Sequence, residues 1–316
     1  MGRETEELQN SADRNKAELQ GRTVVMSGGS RGIGHAIAVE LAAAGANLVL
    51  LAKTGEPHPK LEGTVHTAAA DVEAAGGKGL AVVGDLRNDE DVARAVDSAV
   101  ETFGGIDVVI NNASAIDLSP TEALDMKRYD LMHDINVRGT FLLSKLAAPH
   151  LRESARAGRS PQILTLSPPL TGEDGRLDPR WFGKHLAYTM AKYGMSMTTI
   201  GLAQELAGRE GEDGVAVNSL WPVTLIETAA IRSLAEQSAG SGRQEQGEAM
   251  LRGSRRPQIV ADAAAALLSG AVRDEAGALP TGQFLTDEQV LRSVGVEDFS
   301  GYAVDPEAQL APDIFL

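Results

Sequence analysis

The sequence contains no cysteine, which excludes disulfides and thiolate metal sites and fits a reducing compartment. Its six histidines, at positions 35, 58, 66, 133, 150 and 185, show no helical pair spacing, so no metal site is expected. Aromatic residues make up only 4% of the chain against 43% hydrophobic residues in all, so a core of ample size must be mostly aliphatic. Basic residues are outnumbered, 29 Lys and Arg against 44 Asp and Glu, for a net charge of −15. Such a surface repels phosphate backbones, and nucleic acid is not an expected partner. No run approaches the roughly twenty apolar residues of a membrane span. The N-terminus Met1-Gly2-Arg3-Glu4-Thr5-Glu6-Glu7 lacks the apolar stretch of a secretion signal, and Asp313-Ile314-Phe315-Leu316 is not a peroxisomal ending. The expectation is a cytoplasmic protein without a membrane partner.

Six short apolar runs, at 23–27, 47–52, 79–84, 106–111, 162–167 and 215–221, alternate with helical stretches. Alternation of this kind predicts an α/β fold, a doubly wound parallel sheet of Rossmann type with helices on both faces. A helix over 258–270 and a strand near 282–285 complete it. We expect a polar arm at 1–20, one domain over 21–287 and a packed C-terminal tail at 288–316. The polar, Gly-rich stretch 239–256 reads either as a mobile lid near a ligand or as a plain surface loop.

The first run, Thr23-Val24-Val25-Met26-Ser27, leads into Gly28-Gly29-Ser30-Arg31-Gly32-Ile33-Gly34 and an Ala-rich helix ending at Gly45. Glycines let the backbone approach a pyrophosphate, and the helix start offers unpaired N–H groups to the phosphates. The strand at 47–52 completes the βαβ setting of a dinucleotide site. At the end of that second strand NAD-selective sites carry an acidic residue, whereas Ala52 and then Lys53 stand here. With Arg31, Lys53 favours the 2′-phosphate of NADP(H) over NAD(H), and Lys60 or His58 are candidate helpers. Further along, Tyr188 and Lys192 lie four residues apart and share a helix face, setting an ammonium beside a phenol to bring its pKa toward the useful range.

Together these residues resemble the short-chain dehydrogenase/reductase family. Its Thr-Gly-x-x-x-Gly-x-Gly motif appears with Ser27 in place of Thr. Asp85-Leu86 resembles the family's adenine contact, and Asn111-Asn112-Ala113-Ser114 its Asn-Asn-Ala-Gly loop, with Ser114 replacing the glycine. Asn136, Ser167, Tyr188 and Lys192 match its catalytic tetrad in order. The resemblance implies that Tyr188 exchanges a proton with the substrate oxygen and that Ser167 holds that oxygen. It further implies that Lys192 serves both tyrosine and nicotinamide ribose, and that Asn136 holds a water linked to Lys192. The cofactor set it implies comprises Ser27, Gly28, Ser30, Arg31, Gly32, Ile33, Gly34, Lys53, Asp85, Leu86, Asn112, Ala113, Tyr188, Lys192, Pro222 and Thr224, with Thr228 as rival to Thr224 for the carboxamide.

Two departures stand out. Pro222-Val223 replaces the usual Pro-Gly, and Ser167 and Tyr188 lie 21 positions apart, so an insertion bearing Trp181, Phe182 and His185 precedes the catalytic helix and is expected to shape the pocket. Trp181, Phe182, Met190 and Trp221 suggest an apolar one. The expected activity is hydride transfer between NADP(H) and a small hydrophobic carbonyl or alcohol, in a homodimer or homotetramer. The alternatives are a catalytically silent, cofactor-binding regulatory protein, favoured by the missing glycine, and an enoyl-thioester reductase. No lipid-carrier domain is expected beyond Leu316, and lipid carriage is not an expected function.

Overall fold

The computed structural model describes residues 18–57, 63–172, 175–208, 214–240 and 244–315. Seven parallel strands form one sheet in the order β3-β2-β1-β4-β5-β6-β7. They are β1 (Thr23–Ser27), β2 (Asn47–Ala52), β3 (Lys78–Val83), β4 (Val108–Asn111), β5 (Gln162–Thr165), β6 (Ala216–Trp221) and β7 (Phe284–Thr286). Parallel strands covered on both faces read as near-continuous apolar runs, and the alternation of side chains divides each run between two cores. Val24, Met26, Leu48, Leu50, Ile110 and Leu164 face one core with Ile37 and Leu41 of α1 (Gly32–Ala43) and Ile259 and Leu267 of α10 (Gln258–Leu268). Val25, Val49, Leu51, Val109, Ile163 and Val217 face the other, with Val92 and Val96 of α3 (Asp89–Phe103) and Leu143 and Leu151 of α5 (Thr140–Arg156). Full burial of each such side chain is worth roughly 1.5–3 kcal/mol. Leu19, within the stretch read as an arm, is wholly buried in the first core.

The remaining helices are α2 (Val65–Ala74), α4 (Met126–Met132), α6 (Pro179–Lys184), α7 (Leu186–Glu205), α8 (Ala229–Gly240), α9 (Gln244–Arg252) and α11 (Asp287–Ser293). Between α4 and α5 the chain widens into a π-helical turn, His133–Gly139, that contains Asn136. The described residues of 239–256, read as a lid or loop, are largely helical: α8 and α9 pack together, and a Cβ on Gly247 would lie 2.5 Å from the Ala235 carbonyl oxygen. This glycine serves that close approach and not a turn.

Strand order reverses between β1 and β4, and a crevice opens beyond their carboxyl ends. The last residues return to this end of the sheet. Leu225 N–H donates to Ala311 O and Asp313 N–H to Val223 O, both at 3.0 Å, so 311–313 run antiparallel to the segment after β6.

Candidate active site

The glycine loop is built for close approach. Gly28 and Gly32 have φ of +77° and +58°, which side-chain-bearing residues rarely adopt. A Cβ on Gly34 would stand 2.4 Å from Asn112 Nδ2 and 2.6 Å from the Gly28 carbonyl oxygen. That Nδ2 donates to Gly28 O at 2.8 Å and Ser27 O at 3.3 Å, while Ala113 N–H donates to Ser27 Oγ at 3.3 Å. The loop after β4 therefore holds the loop after β1. Arg31, the residue before α1, makes no side-chain cap, and the first turn carries no acidic residue. The N–H groups at that helix start are left for an anion, so this cradle fits a dinucleotide pyrophosphate.

Around the cradle, the Arg31 guanidinium donates to Thr54 Oγ1 at 3.0 Å and Gly63 O at 3.3 Å, spanning the end of β2, where Lys53 is exposed. His58 and Lys60 lie outside the described residues. The Asp85 carboxylate is taken by Arg87, which holds its pKa low, and Leu86 is buried beneath the same loop. Ile33, Asn112, Pro222 and Thr228 line a cavity of about 240 Å³ in the crevice. Thr224 is buried, and its hydroxyl has no partner among the described residues. Val223, where the glycine is missing, donates its N–H to Asp287 Oδ1 at 3.0 Å. Ser160 is the only described non-glycine residue at positive φ, so valine sits there without backbone strain.

Tyr188 and Lys192 line the same cavity, together with Ser114, Ile116, Leu118, Leu166, Leu225, Ile231, Leu234 and Met250. The Lys192 ammonium donates to Leu166 O at 2.8 Å and lies 5.0 Å from the Trp221 ring centroid. Asn136 turns both amide atoms on one residue: Oδ1 accepts from Ala115 N–H at 2.7 Å, and Nδ2 donates to Ala115 O at 3.0 Å. Its side chain thus fixes the loop next to Ser114. Ser167 is placed differently. It is 1% exposed, it bonds Ser219 Oγ at 2.9 Å, and Ser219 in turn bonds Thr199 Oγ1 at 2.8 Å. The structure brings Tyr188, Lys192 and Ser114 to the cavity wall and keeps the Ser167 hydroxyl inside the sheet–helix interface.

The tail supplies what sequence reasoning missed. Asp313 lines the cavity and accepts a hydrogen bond from the Trp221 indole at 2.8 Å. Phe315 lies within 5.6–5.9 Å, centroid to centroid, of Trp181, Tyr188, Tyr193 and Trp221. Burial therefore dominates the electrostatics. It raises the Tyr188 pKa above the ordinary phenol value; Asp313 adds to the rise, and a hydrogen bond with Ser114 opposes it. Burial lowers the Lys192 ammonium to about 7 and lifts Asp313 to about 7, each partly restored by the other. The expected lowering of the tyrosine pKa by its lysine is overridden by burial and by the tail carboxylate.

The insertion acts indirectly. Trp181 and Phe182 do not face the cavity; Trp181 packs on Phe315 and Phe182 meets Tyr193 edge to face at 5.4 Å. Met190, expected in the pocket, is 43% exposed because it projects from the opposite face of α7. His185 joins α6 to α7, and partial burial lowers its pKa.

The sheet, the glycine cradle and the tyrosine and lysine paired at the crevice define a dinucleotide-binding fold of Rossmann type, and a family model described as short chain dehydrogenase matches residues 22–239. The chain belongs to the short chain dehydrogenase family. It is 47% identical over 302 residues to hydroxysteroid dehydrogenase-like protein 2 of Danio rerio, covering 96% of this chain and 65% of that protein. A putative dehydrogenase from Xanthomonas campestris superposes with a TM-score of 0.81 at 46% identity, over 94% of this chain and 98% of that one. An NADH-dependent reductase A1-R′ solved with NAD superposes with a TM-score of 0.63 at 26% identity, over 86% and 96%. No helix among the described residues is long and apolar enough to cross a membrane, and these residues hold no metal-binding cluster.

Proposed function

We propose that the protein is an NADP(H)-dependent oxidoreductase of a small hydrophobic carbonyl or alcohol, with Tyr188 as general acid and base. The observation carrying this reading is that Tyr188 and Lys192, one helical turn apart, line the cavity that Ile33 and Asn112 of the cofactor cradle also line. Residues 27–34, Asn112 and Ala113 would hold the dinucleotide, which when bound would supply or accept the hydride. Arg31 and Lys53 supply positive charge at the end of β2, where Ala52 leaves no acidic side chain for a ribose hydroxyl. Ile116, Leu118, Leu234, Met250 and Ile314 give the substrate side of the cavity apolar walls. Raised pKa keeps Tyr188 protonated at neutral pH, as a proton donor to a carbonyl oxygen must be.

Association into a homodimer or homotetramer is part of this proposal. Phe141 of α5 and Met190, Met197 and Ile200 of α7 are 43–63% exposed, an apolar burden that a second copy would cover. Light scattering showing a monomer at micromolar concentration would refute it. A second reading, a catalytically silent cofactor-binding protein, is favoured by one observation: the Asp313 carboxylate and the Phe315 ring both press on the Tyr188–Lys192 pair. NADPH oxidation by the wild type and by Tyr188→Phe separates the two readings.

A further inference from the structure

We propose that Ser114, held in place by Asn136, is the residue that hydrogen-bonds the reacting oxygen of the substrate, in the position that sequence resemblance gives to Ser167. The inference rests on the oxidoreductase reading above and adds a catalytic residue to it.

Three observations carry it. First, the Ser167 hydroxyl is committed inward. It is buried, it bonds Ser219, and Ser219 bonds Thr199, so presenting it to the cavity would strip a buried hydroxyl chain of its partner. The next residues, Pro168 and Pro169, have no hydroxyl, and Pro168 O is fixed by Ser196 Oγ at 2.6 Å. Second, Ser114 lines the cavity with Tyr188, and its side chain stands where it eases ionisation of the Tyr188 phenol against the effect of burial. The other contact of the Ser114 hydroxyl, to Ala115 O, is long at 3.5 Å, which leaves the O–H free to turn toward a ligand. Third, the site is pinned, because both amide atoms of Asn136, in the π-helical turn, hold Ala115. Two bonds to the N–H and C=O of one residue fix the segment carrying Ser114 as a paired strand would. Asn136 is thus a positioning residue for Ser114.

In reduction the carbonyl carbon gains a hydride from the reduced dinucleotide, and the C=O π pair moves onto oxygen. That oxygen takes the Tyr188 proton while the Ser114 O–H stabilises the developing charge. The products are the alcohol, the oxidised dinucleotide and a Tyr188 phenolate, which solvent reprotonates. Removing one donor of this type costs about 10²–10³-fold in rate.

The test compares Ser114→Ala, Ser114→Gly, Ser114→Thr, Ser167→Ala and Tyr188→Phe, each checked for wild-type-like melting. Decanal and cyclohexanone are followed by NADPH absorbance, and 1-decanol binding to the protein with NADP+ by calorimetry. Expected are a loss of about a hundredfold in kcat/KM and of at least about tenfold in decanol affinity for Ser114→Ala and Ser114→Gly. Ser114→Thr, which keeps a hydroxyl, recovers most of both, and NADP+ affinity stays constant across the Ser114 series. Ser167→Ala loses less than Ser114→Ala in both measurements. A greater loss in Ser167→Ala, or full activity in Ser114→Gly, overturns the inference while a dead Tyr188→Phe leaves the oxidoreductase reading standing. Activity retained in Tyr188→Phe, or a wild type that neither turns over nor binds these probes, overturns both.

Discussion

The indole N–H of Trp221 donates to Oδ1 of Asp313 at 2.8 Å, fastening the tail to the end of β6 across 92 positions of sequence. The bond sets a carboxylate among the groups that carry the proposed chemistry. Lys192 and Tyr188 of α7 and Trp221 of β6 face it, and at the cavity it opposes the charge that Lys192 offers the phenol.

Asp313→Asn should therefore make Tyr188 more acidic. Removing a nearby negative charge favours phenolate, and the shift is about one unit for a close charge. Oxidation of an alcohol needs the phenolate, so the acidic limb of the kcat profile should move to lower pH by about that amount. An unmoved limb would show that the tail carboxylate does not act on the tyrosine.

Gly34→Ala should remove the cradle. The added methyl would meet a backbone oxygen, Gly28 O, at 2.6 Å and Asn112 Nδ2 at 2.4 Å, and the backbone atom cannot rotate away. The expected outcome is a stability loss of about 1–3 kcal/mol and at least about a tenfold weaker dinucleotide affinity, read by thermal melting and calorimetry. Undiminished affinity would mean that the dinucleotide does not sit on this loop.

Lys53→Glu tests cofactor choice. Reversing the charge at the end of β2 should raise the NADPH Michaelis constant at least about tenfold, near 1.4 kcal/mol, and change the NADH constant far less. Equal changes for both would remove Lys53 from 2′-phosphate recognition.

Asp107 tests the frame beneath the site. Buried at the start of β4, it accepts from Thr23 N–H at 2.8 Å, Ser154 Oγ at 2.6 Å and Arg159 Nε and Nη2 at 2.7 Å. Desolvation works against ionisation, yet these donors outweigh it and hold the pKa below 3.8. Since the folded value lies below the unfolded one, the stabilisation is complete above the unfolded pKa and is lost as pH falls through the folded one. Asp107→Asn should destabilise by about 2–4 kcal/mol at neutral pH, the gap narrowing below about pH 4. A gap independent of pH in urea unfolding would contradict the assignment.

The sheet was legible because parallel strands buried on both faces are written as nearly continuous apolar runs, such as residues 48–52 of β2. The cradle was legible because its glycines answer a local demand for space. The tail was not, since the approach of Asp313 and Phe315 to Tyr188 depends on pairing between 311–313 and 223–225, which leaves no local pattern. Helices α8 and α9 were hidden for a different reason: Gly247 marks a helix crossing but reads as a loop residue. Ser114 was visible as a departure from the family loop, and only its place beside Tyr188, with Ser167 turned inward, gives that departure a meaning.

The most direct test of the central claim is NADPH oxidation against a panel of aldehydes and ketones by the wild type and Tyr188→Phe at equal cofactor saturation. Turnover by the wild type and at least about a hundredfold loss in the mutant, with NADPH affinity retained, are the expected result. Equal rates in both proteins would contradict a role for Tyr188 in proton transfer, and tight NADPH binding without turnover by either would favour the silent, cofactor-binding reading.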